Sequence, residues 1–161
     1  MPDKKSAADL VAAMRKEPLC IEGHSSDYQT TTNLTAMCED GVAILKVGPA
    51  LTFALREALF ALEQIEREIY AETPEVWSDY REVLERTMLE NPKSWAPYYQ
   101  GTPNEQRIAR AYSFYDRCRY YFAQPAVVAA RDALVENLSG NKIPHCMLSQ
   151  YLPNQYYRVR I

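Results

Sequence analysis

The chain has 161 residues, of which 47% are hydrophobic and 24% are charged, and its formal net charge is -3. This composition is typical of one folded domain and excludes a disordered or fibrous chain. An acidic chain lacks the broad positive field that nucleic acid or an anionic membrane requires, so we expect neither as a partner.

The first half of the chain predicts alternating helices and strands. The predicted helices are 6–16, 33–39 and 51–69, and the predicted strands are 19–23 and 42–47. The run 42–47 is nearly continuously apolar, as in a strand buried on both faces of a parallel sheet. Gly41 suits the left-handed position beyond a helix end. This order, with short connections, is typical of βα units in a parallel sheet.

The most regular pattern lies between residues 51 and 69. Apolar side chains recur there every three or four positions, at Leu55, Leu59, Leu62, Ile65 and Ile69. Charged side chains fall largely on the other face, at Arg56, Glu63, Glu66 and Arg67. The spacing predicts a long amphipathic helix.

The second half of the chain is predicted to be mainly helical. Helices are expected at 75–90 and 104–111, with an aromatic-rich loop at 91–102. The run 113–116 has the spacing of a capping box, which would open a helix to about residue 122. Pro125 suits the first turn of a further helix that ends at 139–140. A turn and a short helix are expected after residue 143.

No stretch is apolar enough for a secretory leader or a membrane span, so we expect a cytoplasmic protein. The four cysteines are Cys20, Cys38, Cys118 and Cys146. They form no Cys-x-x-Cys pair, so we expect reduced thiols and neither a zinc site nor a disulfide framework.

Several motifs are similar to those of one known family. Upstream they are HSSDYQT at 24–30 and AILKVGPALTFALREALFAL at 43–62. Downstream they are YSF at 112–114, DR at 116–117, RYY at 119–121 and SQYLP at 149–153, with Gln155-Tyr156 and Arg158. On these motifs the chain resembles the GatZ/KbaZ family, the non-catalytic subunits of D-tagatose-1,6-bisphosphate aldolase.

The resemblance implies an α/β fold, the carboxy-terminal part of a (β/α)8 TIM barrel followed by a mainly helical extension. Residues 1–73 would hold the last βα units and residues 74–161 the extension, together an incomplete single domain. Because such barrels take roughly 250 residues, about six βα units would be missing before residue 1. Met1 would then be an internal start, and we expect marginal stability or self-association into an oligomer.

The resemblance also implies a supporting function. The chain would be a fragment that assists folding, stability and activity of the catalytic class II aldolase subunit, which would hold the zinc; no cofactor is expected here. The pathway would run through tagatose 6-phosphate, in galactitol or N-acetylgalactosamine catabolism. The alternatives are an aldolase or tagatose-6-phosphate kinase in its own right, or an inert truncated product. A kinase is disfavoured because no glycine-rich phosphate loop is present.

Barrels of the implied kind hold phosphate at the loops after their last two strands and at a helix amino terminus. The candidates here are Ser25, Ser26, Lys46, Gly48 and Thr52. Gly48 would let the backbone approach a phosphate closely, and Thr52 would donate its hydroxyl. The alternative is that Gly48-Pro49 is only a tight turn and Thr52 only a cap.

Lys46 lies on a mostly apolar strand, where an unpaired ammonium is costly. Glu22 on the neighbouring strand is the expected counter-ion, and this buried pair is favoured over a Schiff-base role, so no catalytic residue is assigned. Glu22, His24 and Asp27 would offer a metal ligand set. Only His24 and His145 supply imidazoles, however, so no metal site is predicted.

A surface rich in arginine and tyrosine is predicted around residues 112–121. Its interface candidates are Arg117, Arg119, Tyr120 and Tyr121. Such residues are enriched at the centres of protein interfaces. A helix packed over the outside of the barrel explains the same pattern equally well.

Overall fold

The computed structural model describes residues 4–24, 26–140 and 143–159, and these are mainly helical with two short parallel strands. The chain divides into two compact units, Met1–Leu51 and Thr52–Ile161, which we call the strand unit and the helical unit. The division falls inside a long helix, earlier than the boundary at residue 73 that the family resemblance implies.

The strand unit contains α1 (Lys4–Met14), β1 (Ile21–Gly23), α2 (Thr31–Glu39) and β2 (Val42–Leu45), and α3 (Pro49–Ile69) begins in it. The helical unit continues α3 and adds α4 (Tyr80–Glu90), α5 (Pro103–Tyr112), α6 (Pro125–Ser139), α7 (His145–Tyr151) and α8 (Pro153–Val159). Short 3₁₀ turns lie at Pro74–Val76, Pro92–Ser94 and Arg117–Tyr121. Within the described ranges, no helix is both long and apolar enough to cross a membrane.

The two strands pair in parallel, as the sequence predicts, with Ile21 beside Val42 and Gly23 beside Leu45. Gly23 is required by close packing. A Cβ at that position would lie 2.7 Å from Met37 Cε and 2.8 Å from Val42 Cγ1, closer than real Cβ contacts allow. Met37 of α2 therefore packs directly against β1 at Gly23.

The ends of α2 are set by two local signals. Thr30 caps its amino terminus by accepting a hydrogen bond from the Asn33 amide, so the helix begins two residues before the predicted start. Gly41 follows its carboxyl end with a φ of 98°, which confirms the predicted left-handed position.

The helical unit has a hydrophobic core. α4 packs against α6, and the core runs from α3 to the end of α6. The buried apolar side chains are Leu59, Ile65, Tyr80, Leu84, Met88, Trp95, Tyr99, Cys118, Tyr121, Val127, Ala130, Leu134 and Leu138.

Several charged side chains of α3 are buried, unlike those of a simple amphipathic helix, which face solvent. Arg56, Glu63 and Glu66 are buried, whereas Leu55 is 49% exposed. The buried charges are tolerated because each has partners: Glu66, for example, accepts hydrogen bonds from the Ser78 amide at 3.1 Å and from Asn137 Nδ2 at 2.7 Å. The length of the helix is confirmed, but its charged side chains are part of the interior.

The predicted capping box at 113–116 is wrong. Ser113 would be the N-cap of this box and Asp116 its N3 residue, but Asp116 has a φ of 46°, in the left-handed region where a helical residue cannot lie, and a 3₁₀ turn follows it. The real capping box opens α5: Thr102 Oγ1 accepts from the Glu105 amide at 3.3 Å, and Glu105 Oε2 accepts from the Thr102 amide at 2.7 Å. A hydroxyl and a carboxyl group lie three positions apart in both places, and α5 has the additional helix-start signal of Pro103 in its first turn.

Candidate functional sites

Two side chains join the loops that follow β1 and β2. The buried Ser26 hydroxyl donates a hydrogen bond to the Lys46 carbonyl oxygen. Asp27 Oδ1 accepts hydrogen bonds from the Gly48 amide at 3.0 Å and from the Ala50 amide at 2.8 Å. The favourable dipole at the amino terminus of α3 is therefore already matched by an internal carboxylate.

Three of the five residues predicted to bind phosphate lie in or beside these joined loops. Ser26 and Gly48 both contribute to the joined loops, and Lys46 is exposed beside them. A Cβ at Gly48 would lie 3.8 Å from Asp27 Oδ2, an ordinary contact, so close approach of Asp27 does not require glycine. Thr52 lies in the first turn of α3, in the helical unit. Ser25 lies outside the described residues. Phosphate binding here stays a prediction.

The structure does not bring Glu22 and Lys46 together as a buried ion pair. Glu22 Oε1 lies 3.0 Å from His24 Nε2 instead, and these two side chains are 47% and 62% exposed. Lys46 is also exposed and forms no ion pair within the described part of the chain. Because the described residues form two strands and leave Lys46 exposed, its ammonium keeps its water and needs no counter-ion.

A buried ion pair does exist, in the helical unit. Arg56 Nε lies 3.0 Å from Asp116 Oδ1, and the two side chains are 1% and 0% exposed. The Arg56 guanidinium also lies over the ring of Phe53, 4.3 Å from its centroid. Cys118 donates its thiol to Asp116 Oδ1 at 3.2 Å. Burial, reinforced by the Asp116 charge, raises the pKa of Cys118, so this thiol is neutral and unreactive.

The helical unit also contains a cavity of about 310 Å³. Phe60, Leu84 and Met88 give it an apolar lining. Its charged lining side chains are Arg67, Arg81, Arg107 and Arg110 together with Glu63, Glu82 and Glu85. Sequence reasoning missed this site, because its residues come from three helices that no short motif connects.

Two of the cavity arginines are neutralised by carboxylates. Arg110 forms a forked pair with Glu85, with Nε 2.9 Å and 3.0 Å from the two oxygens. Arg67 bridges Glu63 at 3.1 Å and Asp79 at 2.9 Å. Burial raises the pKa of Glu63 against the opposing effect of Arg67. These contacts fix the walls of the cavity.

The guanidinium groups of the other two cavity arginines form no ion pair among the described residues, although the charge of Arg81 acts on the nearby Glu63 carboxyl and opposes the rise in pKa that burial causes there. Arg81 Nη2 donates to the Tyr112 hydroxyl at 2.8 Å, and its guanidinium lies 4.9 Å from the Phe60 ring centroid. Arg107 donates to Asn104 Oδ1, at 3.1 Å from Nη2. Among the described residues, neither forms an ion pair. Their positive charges are therefore open to an anion.

The predicted arginine and tyrosine surface is present in part. The Arg117 guanidinium lies between two rings, 3.6 Å from the Tyr98 centroid and 4.6 Å from the Tyr120 centroid. Arg119 stacks on the same Tyr120 ring at 4.5 Å. Tyr98 and Tyr120 are exposed. Tyr121 differs, because it is buried and donates its hydroxyl to the Asn91 carbonyl oxygen. We call Tyr98, Arg117, Arg119 and Tyr120 the stacked surface.

With the geometry established, comparison with known proteins identifies the family. The sequence profile described as D-tagatose-1,6-bisphosphate aldolase subunit GatZ/KbaZ-like matches residues 2–161. The chain belongs to the GatZ/KbaZ-like family. This confirms the resemblance that the motifs at 24–30 and 43–62 indicated.

A solved structure of similar fold comes from a longer chain. It is the crystal structure of a probable tagatose 6 phosphate kinase from Sinorhizobium meliloti 1021, 44% identical, with a TM-score of 0.87. The match covers 98% of this chain and 41% of that one. The GatZ/KbaZ-like chain therefore corresponds to a portion of a larger protein, with two parallel strands and many helices in common.

Proposed function

We propose that this chain is a portion of the non-catalytic subunit of a D-tagatose-1,6-bisphosphate aldolase. In this role it assists folding, stability and activity of a zinc-dependent catalytic subunit in the cytoplasm, in galactitol or amino-sugar catabolism. The observation that carries the proposal is the family match over residues 2–161, nearly the whole chain.

The parallel strands fit the last two strands of a (β/α)8 barrel. Parallel sheets are normally covered on both faces, yet Ile44 and Val47 of the β2 region are 47% and 45% exposed. Leu19, before β1, is 69% exposed. Further βα units would cover these side chains, and the 41% coverage of the Sinorhizobium meliloti chain supports such a larger fold.

The stacked surface is the proposed contact with the catalytic subunit. Arginine and tyrosine are enriched among the residues that contribute most to binding. Arg117 is held by two exposed rings, and Arg119 also donates to the Tyr120 hydroxyl at 3.0 Å. The groups are thus ordered before a partner arrives, which lowers the entropic cost of association.

A second function is favoured by one observation, the kinase description of the Sinorhizobium meliloti relative. Under that reading the larger protein would phosphorylate tagatose 6-phosphate, and this chain would supply part of the enzyme. The two functions differ in what the isolated protein does with ATP, so they are separable by assay.

The test is co-expression of this chain with the catalytic class II aldolase subunit. We expect the two to co-purify, and the partner to cleave tagatose 1,6-bisphosphate faster, or to be recovered in greater soluble yield, than when expressed alone. A full-length family member is the positive control. If that control assists the partner and this chain does not bind it, the portion described here is insufficient. ATP-dependent phosphorylation of tagatose 6-phosphate without the partner would instead favour the kinase.

The stacked surface is tested within the same assay. Arg117→Ala should weaken co-purification by about tenfold or more, as expected for an arginine at an interface centre. Arg86→Ala, an exposed arginine on α4 outside the stacked surface, is the matched control. Equal binding by both variants would remove the stacked surface from the interface.

A further inference from the structure

The cavity of the helical unit plays no part in the proposed function. We propose that it binds a small phosphate monoester, whose phosphate is held by Arg81 and Arg107. This site is separate from the strand loops, where Asp27 already occupies the amides at the start of α3.

The charge of the cavity supports an anionic ligand. Four arginines and three glutamates line it, and Asp79 adds a fourth carboxylate through its ion pair with Arg67, so the charges balance overall but are unevenly paired. Arg67 and Arg110 form ion pairs with carboxylates, whereas Arg81 and Arg107 form none among the described residues. Two guanidinium groups that lack counter-ions match a dianion better than a single carboxylate, and their forked donors suit phosphate oxygens.

The position of Arg81 is set before any ligand binds. Its guanidinium lies against the Phe60 ring and donates one N–H to the Tyr112 hydroxyl. A guanidinium carries five N–H donors, so others stay available to a phosphate. Because the side chain is already ordered, little conformational entropy is lost on binding.

The size of the cavity limits the ligand. A volume of about 310 Å³ is at the small end of the range for ligand pockets and exceeds what phosphate alone fills. The organic part of the ligand would contact Phe60, Leu84 and Met88. Glu82, an exposed carboxylate on the lining, would accept hydrogen bonds from ligand hydroxyls. These features favour a short, hydroxyl-bearing phosphate monoester.

The experiment is calorimetric titration of the complete 161-residue chain with glycerol 3-phosphate. We expect one site per chain, tighter binding than for inorganic phosphate, and no binding of glycerol. Arg81→Gln and Arg107→Gln should each weaken binding by about tenfold or more, as expected for charge-assisted hydrogen bonds. Arg86→Gln removes the same charge from α4 without touching the cavity, and its affinity should stay within about twofold of wild type.

Several outcomes would overturn the proposal. They are no binding of glycerol 3-phosphate by the wild-type chain, an equal loss of affinity in Arg86→Gln and Arg81→Gln, and tighter binding of citrate than of either phosphate. Circular dichroism of each variant verifies folding. Should Arg81→Gln fail to fold, Arg107→Gln decides alone, because Arg107 is exposed and its side-chain hydrogen bonds among the described residues go to Asn104 of its own helix.

Discussion

The strand unit and the helical unit are stabilised in different ways. Every fully buried hydrophobic side chain among the described residues lies in the helical unit, whereas the buried residues of the strand unit are Gly23 and Ser26. The helical unit thus combines an apolar core with buried charges that are paired, although Arg56 Nη2 and Asp116 Oδ2 have no hydrogen-bond partner among the described residues. The strand unit depends on backbone pairing and on the loop contacts of Ser26 and Asp27.

The two units therefore gain their stability from different sources. Burial of apolar surface is the main favourable contribution to folding, and the helical unit obtains it internally. The strand unit instead exposes Leu10, Leu19, Ile44 and Val47, each by 45% or more. We therefore expect the helical unit to be the more stable part of this chain, with the strand unit opening first.

The largest effect should come from the buried ion pair of the helical unit. Asp116→Asn leaves the Arg56 guanidinium buried without a counter-charge, which should lower the free energy of unfolding by about 3–5 kcal/mol. Urea unfolding followed by tryptophan fluorescence measures it, because both tryptophans, Trp77 and Trp95, lie in the helical unit.

The control for this variant is Asp132→Asn. Asp132 pairs with Arg131 at the surface, where the side chains are 61% and 43% exposed. Its loss should cost less than about 1 kcal/mol. If both variants unfold at the same urea concentration, buried charge pairing does not distinguish the helical unit.

An intermediate effect is expected from Gly23→Ala in the strand unit. The added Cβ would clash with Met37 and Val42, and overpacking of this kind costs about 1–3 kcal/mol. Hydrogen exchange of the Lys46 amide, which donates to the Gly23 carbonyl at 3.0 Å, should become faster. Gly48→Ala has room for its methyl group and should leave exchange nearly unchanged. A loss of tryptophan-monitored stability equal to the loss of strand protection would show that the units unfold together.

The smallest effect concerns pH. Burial raises the pKa of Glu63 above its ordinary value of 4.5, so the folded state holds this proton more tightly than the unfolded state. The resulting stability is present below pH 4.5 and is lost as pH rises through the raised pKa. Urea midpoints over a pH series should show the advantage of wild type over Glu63→Gln shrinking as pH rises.

The contribution of the capping-box residue Glu105 to stability has the opposite dependence on pH. Hydrogen bonds from the Thr102 backbone and side chain lower the pKa of Glu105 below 4.5. Its contribution is present above pH 4.5 and is lost as pH falls through the lowered pKa, so the advantage of wild type over Glu105→Gln should grow as pH rises. The same trend in both variants would contradict the assignment of Glu63 as a buried carboxyl in the helical unit.

The parts of the fold that could be predicted from sequence rest on local signals. The apolar run at 42–47 predicted a parallel strand, Gly41 a left-handed helix end, and Pro125 the start of α6, and all three are present. The predicted burial of that strand on both faces is not found in this chain, because Ile44 and Val47 are 47% and 45% exposed. The family was predicted from motifs that keep their order and spacing. Each of these signals lies within a short stretch of chain.

The parts that could not be predicted depend on distant partners. The amphipathic pattern predicts that Arg56 faces solvent. Its ion-pair partner, Asp116, lies 60 positions away in the chain, so no local signal indicates that Arg56 is buried. Asp27 is a candidate metal ligand by residue type, and only its position in the fold shows that it accepts hydrogen bonds at the amino terminus of α3. Likewise, Arg81 and Arg107 carry no motif, and it is the packing of α3, α4 and α5 that brings them to one cavity.

The stacking of Arg117 between Tyr98 and Tyr120 has a consequence for the timing of recognition. A side chain that is held in one conformation meets a partner in its bound form and needs no rearrangement after first contact. For a protein that docks on this surface, association would be limited by collision and orientation. Mutations in the two rings would then act mainly by shortening the lifetime of the complex.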